Sequence, residues 1–160
     1  MQSNIFENGL TWFCKNLKEK SWYLIGSSVD YFHVDYPISK INDFDILIDS
    51  TIYTPNDISN LNDVSEFDYW GSVNYINEKI KCDVYRSLLK LDDTNITVDW
   101  MFSDTQEKVT FKNFKKLNIT IQTLKGRISV LRQTVNNKIK SEAQPIAKDR
   151  LDSYYKKNVI

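Results

Sequence analysis

The chain has 160 residues, 21 Lys+Arg against 21 Asp+Glu, 41% hydrophobic and 13% aromatic residues: enough for one domain with a real core, and not a disordered chain. Its zero net charge argues against a nucleic-acid binder held on by bulk charge, while leaving room for a local basic channel. No apolar run nears the ~18 residues of a membrane span, the N-terminus lacks a signal-peptide pattern, and Cys14 and Cys82 make neither a disulfide scaffold nor a zinc site, so a soluble, cytoplasmic protein without membrane contact is expected.

Phe6, Leu10, Phe13 and Leu17 fall at helical spacing, with Ser3 or Asn4 as cap, and predict an amphipathic first helix. Trp22–Ile25 predicts a buried strand ending in the small-residue turn Gly26-Ser27-Ser28, with one or two helical turns over Val29–Val34 before Pro37. Asp43–Asp49 reads as a strand with Phe44, Ile46 and Ile48 on one face and Asp43, Asp45 and Leu47 on the other. Ser50–Phe67 reads as a loop with a short helix. Trp70–Ile76 and Lys79–Tyr85 predict a hairpin about Asn77-Glu78. A strand follows at Ile96–Phe102, with weaker ones at Val109–Phe111 and Ile119–Gln122. Leu124, Ile128, Leu131, Val135 and Ile139 then share one helix face behind a Thr123 cap, and Pro145 opens a last helix from Ile146 to about Lys157. The order predicts one α/β (α+β) domain over 1–160, a mixed twisted sheet flanked by helices, with its core at about 1–122 and a helical tail over 123–160.

The chemistry concentrates where one strand ends in Gly26-Ser27 and the next carries Asp43-x-Asp45. Carboxylates at i and i+2 of a strand project together, ~7 Å apart at Cβ, and can share a hard divalent cation such as magnesium. A third carboxylate from a neighbouring strand would complete a two-metal site. Glycine at the turn lets backbone approach a phosphate, and the serine after it adds donors.

Tyr23-Leu-Ile-Gly-Ser-Ser28 followed by Asn42-Asp-Phe-Asp-Ile-Leu-Ile48 resembles the signature of the nucleotidyltransferase superfamily, hG[GS] and then Dh[DE]h on the next strand, with a somewhat longer spacer. That superfamily includes polymerase-beta-like enzymes, minimal nucleotidyltransferases, antibiotic adenylyltransferases and AbiEii-type toxins. Two positions compete for its third acid: Asp83 in Ile80-Lys-Cys-Asp-Val-Tyr85, and Asp99 in Ile96-Thr-Val-Asp-Trp100. Asp83 is preferred because the Trp70-Gly71 hairpin before it also resembles the family. Lys148-Asp149-Arg150-Leu151-Asp152 resembles the family's KDxxD helix, which implies a triphosphate-neutralising role for Lys148. The resemblance spans about residues 20 to 155. It implies transfer of a nucleoside monophosphate from an NTP to a hydroxyl, with release of pyrophosphate. Asp43, Asp45 and Asp83 would hold Mg2+ (or Mn2+), and Gly26, Ser27 and Lys148 the nucleotide. The implied acceptors are tRNA 3′ ends, protein hydroxyls as in toxin–antitoxin systems, or small molecules such as aminoglycosides and lincosamides. A partner protein or second subunit would complete an otherwise open acceptor site. Seventeen lysines against four arginines, with heavy use of Ile and Asn, suit an AT-rich coding sequence of the kind found in phages and low-GC bacteria.

Plainer readings stand beside these. Asp43 and Asp45 could face solvent on an edge strand, and Lys148 with Asp152 could form an i,i+4 surface pair contributing only ~0.3–0.5 kcal/mol. The one histidine, His33, has no serine or cysteine partner in sequence and reads as structural. Cys14 reads as core, Tyr154-Tyr155 as a dock for the last helix, and Lys112, Lys115 and Lys116 as a solvated basic face. Two rival functions remain: a nucleotidyltransferase fold that binds or regulates without catalysis, and a hydrolase. The hydrolase suits the residues less well, since glycosidase carboxylates flank a sugar from opposite sides.

Overall fold

Four successive apolar residues, Trp22–Ile25, are all buried and form β1, the seed of a seven-stranded mixed sheet. The computed structural model describes residues 1–75, 79–137, 139 and 141–160. In chain order the elements are α1 (Ser3–Asn16), β1, α2 (Ser27–Val34), a 3-10 turn (Ile38–Lys40), β2 (Asp43–Asp49), α3 (Pro55–Ser59), β3 (Val64–Tyr75), β4 (Ile80–Leu91), β5 (Thr94–Ser103), β6 (Val109–Phe114), β7 (Leu117–Gln122), α4 (Leu124–Val135) and α5 (Ala143–Lys156). The sheet order is β3-β4-β5-β2-β1-β7-β6. Only β2/β5 and β1/β7 pair in parallel; the other neighbours are antiparallel. The α/β class and the mixed, helix-flanked sheet expected from the sequence are both present.

Alternation along β2 and β5 divides the sheet into two chemistries. One face sends Phe44, Ile46, Ile48, Val98, Trp100 and Phe102 into the main core, where the rings of Phe6 and Phe13 from α1 pack on Phe44. The main core also takes Ile128, Leu131, Leu151 and Tyr154 from α4 and α5, so the helical tail is part of it. The opposite face carries a smaller cluster of Tyr23, Ile25, Leu47, Tyr75, Ile80 and Cys82. Beside that cluster lie the aspartates.

Several boundaries differ from the sequence reading. Expected caps at Ser3 or Asn4 give way to Gln2, which makes no side-chain cap bond, whereas Thr123 caps α4 as expected by accepting from the Gly126 N–H. Helix α2 begins at Ser27, immediately after Gly26. Strand β4 runs on to Leu91 and turns through Asp92 into β5, a second hairpin that the sequence reading passed over. Helix α4 ends at Val135 with Asn136 as its C-cap; Ile139 therefore leaves the helix face and is exposed. Pro145 sits in the first turn of α5, which opens two residues earlier at Ala143. The Asn77-Glu78 turn, with Ile76, lies outside the described residues, although Tyr75 and Ile80 do pair across β3 and β4. Among the described residues no helix is long and apolar enough to cross a membrane.

Candidate active site

Parallel pairing sets Asp45 of β2 opposite Asp99 of β5, with Asp43 opposite Thr97. Because side chains alternate, Asp43, Asp45 and Asp99 all leave from the face that does not carry Phe44 and Trp100. Carboxylate oxygens of the three lie within 4.8 Å of one another, and all three residues are half-buried. That spacing approaches the ~4 Å that separates opposite oxygens around magnesium.

Three partly desolvated carboxylates repel one another. Burial and the charge of Asp99 push the Asp43 carboxyl up, against the pull of Arg86 and Arg150. Asp45 is pushed well above the usual carboxylate range by burial and by the charges of Asp43 and Asp99. A cation bound among the three would offset that repulsion. An all-oxygen donor set of this kind fits a hard divalent ion, magnesium or manganese, held by Asp43, Asp45 and Asp99.

The turn after β1 is fitted to this cluster. Gly26 takes φ +70° and ψ −153°, and a Cβ added there would overlap the Asp45 carboxylate. Glycine is therefore required twice over, by the backbone region and by the close approach. Ser27 and Ser28 follow as the buried first residues of α2, and Ser28 Oγ finds no hydrogen-bond partner among the described residues.

Helix α2 is held by a buried charge network. Arg127 of α4 donates Nε to Asp30 Oδ1 at 2.8 Å and Nη2 to Oδ2 at 2.9 Å, and Tyr154 of α5 donates its hydroxyl to the same Oδ1. Arg150 approaches Asp30 Oδ2 at 3.9 Å. These contacts tie the Gly26–Ser27 turn to both tail helices. Tyr154 thus docks the last helix as expected, while Tyr155 is exposed. His33 bonds the Gln122 carbonyl through Nε2 at 2.8 Å and is structural.

The structure places two of the expected site residues, Asp83 and Lys148, away from the cluster. Asp83 pairs across the β4–β5 ladder with Phe102, whereas Arg86 pairs with Asp99. Asp83 and Arg86 are three positions apart, an odd offset, so the Asp83 side chain leaves from the other face of the sheet, where it accepts a bond from the Ser72 hydroxyl at 2.6 Å. Asp99, not Asp83, completes the cluster. In the tail segment, Lys148 is exposed on α5. Two residues on, about 200° around the helix, Arg150 turns inward over the Tyr36 ring at 5.7 Å and acts electrostatically on Asp43. Arg150 is the cation this segment presents to the site.

Sequence reasoning also missed Arg86. Its Nε and Nη2 donate to the two oxygens of Asp99 at 2.7 and 3.0 Å, and its guanidinium lies 4.1 Å from the centre of the Trp70 ring. Nothing in the local pattern of β4 marks this arginine; only the register across from Asp99 does.

No protein-family model matches the chain, and no curated protein matches its sequence. Among solved structures it resembles the crystal structure of an antigenic nucleotidyltransferase-like protein from Paracoccidioides brasiliensis, with a TM-score of 0.59 and 13% identity, covering 96% of this chain and 76% of that one. At that identity the likeness shows the fold, which is the nucleotidyltransferase-like fold expected from the Gly26-Ser27 and Asp43-x-Asp45 pattern.

Proposed function

We propose that the chain is a metal-dependent nucleotidyltransferase that moves a nucleoside monophosphate from an NTP to an acceptor hydroxyl and releases pyrophosphate. The observation that carries this reading is the convergence of Asp43, Asp45 and Asp99 beside Gly26 on a nucleotidyltransferase-like sheet. Bound magnesium would supply Lewis acidity at the acceptor hydroxyl and charge stabilisation at the departing pyrophosphate. Asp43 and Asp45 would ligate it from β2, and Asp99 would ligate it from β5 and accept the acceptor's proton. The Gly26–Ser27 turn, at the N-terminus of α2, would orient the β- and γ-phosphates through backbone N–H groups and the serine hydroxyl. Arg150 takes over the phosphate-neutralising part that the sequence assigned to Lys148.

The acceptor belongs to one of three classes: a tRNA 3′ end, a protein hydroxyl or a small molecule. The acceptor site is open or is closed by a partner protein or a second copy, in the cytoplasm of a cell or a phage host. Incubation with labelled NTPs and magnesium against these acceptors tests the reading. Labelled product is expected with the wild type and a loss of about a thousand-fold or more with Asp45→Ala, by analogy with removing a charge-stabilising group from a reaction centre. Transfer unaffected by Asp45→Ala would overturn the assignment.

A further inference from the structure

Among the described residues there are two forked Arg–Asp pairs, and their surroundings differ. Arg127–Asp30 is sealed, with side chains only 6% and 0% exposed. Arg86–Asp99 has the same two-bond geometry but is open, at 39% and 16%. A sealed pair of this kind is a fixed part of the fold, because breaking it strands a buried charge. An open one separates at modest cost. The open pair is also the one whose carboxylate belongs to the metal-ligating cluster.

Arg86 bonds both oxygens of Asp99, so while the fork is closed Asp99 offers a cation only its remaining lone pairs and a charge already shared with the guanidinium. The arginine has somewhere to go. One side of it rests on the exposed Trp70 ring, and both residues line a groove of about 510 Å3 that continues past Asp68, Leu88 and Thr97. It also remains needed once Asp99 is released. Three carboxylates and a triphosphate bring about seven negative charges, against about four from two divalent ions. The arginines acting on Asp43 are Arg86 and Arg150.

We propose that Arg86 is an exchanging counter-ion. It closes on Asp99 in the metal-free protein and passes to the phosphates of the nucleotide when Asp99 becomes a cation ligand, with Trp70 as the platform that keeps it at the site. Arg86 is thereby a nucleotide-binding residue as well as the gate on the third carboxylate. This rests on the reading of the aspartates as a metal centre.

The test measures Mn2+ binding by calorimetry and by electron paramagnetic resonance, with and without a non-hydrolysable NTP analogue. The proteins are wild type, Arg86→Lys, Arg86→Gln and Asp45→Asn, each first checked for a cooperative thermal transition. Without nucleotide, Arg86→Lys and Arg86→Gln should both bind Mn2+ about 3- to 10-fold more tightly than wild type, because both lose the fork. The lysine variant keeps the charge, so its gain separates fork opening from simple loss of repulsion. With the analogue, Arg86→Gln should bind the nucleotide about 10-fold more weakly. Mn2+ affinity unchanged in Arg86→Lys, or nucleotide affinity unchanged in Arg86→Gln, would overturn the exchange while leaving the metal centre intact. Equal Mn2+ binding by wild type and Asp45→Asn would instead overturn the metal centre, and the exchange with it.

Discussion

Replacing Gly26 by alanine probes how tightly the turn after β1 is matched to the Asp45 carboxylate. Two costs add. The backbone at φ +70° and ψ −153° lies in a region that is nearly exclusive to glycine, worth about 1–3 kcal/mol for any other residue. The new methyl group would also overlap the Asp45 carboxylate and must push it or the turn aside, at a further ~1–3 kcal/mol. Gly71 supplies the control. It too has a positive φ, +118°, but a Cβ there meets nothing within 4 Å. Gly71→Ala should therefore show the backbone cost alone. For a chain of this size, ~2–6 kcal/mol lowers Tm by roughly 5–20 °C. We expect a fall in this range for Gly26→Ala, at least twice that of Gly71→Ala, by calorimetry with EDTA present. Displacing Asp45 by ~1 Å should also cost about 100-fold in transfer activity and weaken Mn2+ binding, and Gly71→Ala should do neither. Equal Tm shifts and equal Mn2+ affinities for the two variants would refute the claim that Gly26 is kept bare for Asp45.

Three further outcomes follow from the charge layout. Arg127→Met, which strips buried Asp30 of its forked partner and leaves it only the Tyr154 hydroxyl and Arg150 at 3.9 Å, should cost about 3–5 kcal/mol in urea unfolding, whereas Lys148→Met on the exposed side of α5 should change stability by less than about 0.5 kcal/mol. Asp45→Asn should stabilise the metal-free protein at pH 7. The raised carboxyl favours the folded state only while protonated, so its penalty grows as pH rises above the unfolded value of ~3.9, and the gain should fade near pH 4. Glu107 is raised to about 7 by burial, although it accepts bonds from Tyr23 at 3.2 Å and Gln122 at 3.1 Å. Its folded form binds the proton more tightly than its unfolded form, so the stability it supplies is lost as pH climbs from ~4.5 towards 7. Glu107→Gln should remove that slope and be more stable than wild type at pH 8 by about 1–2 kcal/mol, read from denaturant midpoints at several pH values.

What the sequence could show was local. A period of two on Asp43–Asp49 places both aspartates on one face, and a small-residue turn after an apolar strand places Gly26 and Ser27, because each depends only on neighbours along the chain. The choice between Asp83 and Asp99 was not of that kind. Each sits in a strand with the same local pattern, and what separates them is the register of β4 on β5 and the parallel pairing of β5 with β2. Arg86 becomes a site residue through the same register. Arg127 and Asp30 are 97 positions apart, and no periodicity links them. In the tail, the resemblance pointed to Lys148, which the structure leaves exposed, while Arg150, two residues on, faces Asp30 and the Tyr36 ring through the rotation of the helix. Ile139 continued an apolar pattern past Val135, but the Asn136-Asn137 pair, poor in helix propensity, ends the helix first.

The central claim is that Asp43, Asp45 and Asp99 form a divalent-cation centre facing the Gly26–Ser27 turn. A crystal structure of the protein grown with Mn2+ and a non-hydrolysable NTP, with manganese located by its anomalous scattering, tests it most directly. The expected result is a manganese peak among the three carboxylates, with the triphosphate over Gly26 and Ser27. Manganese at Asp83, or an ordered triphosphate away from Asp43 and Asp45, would contradict it.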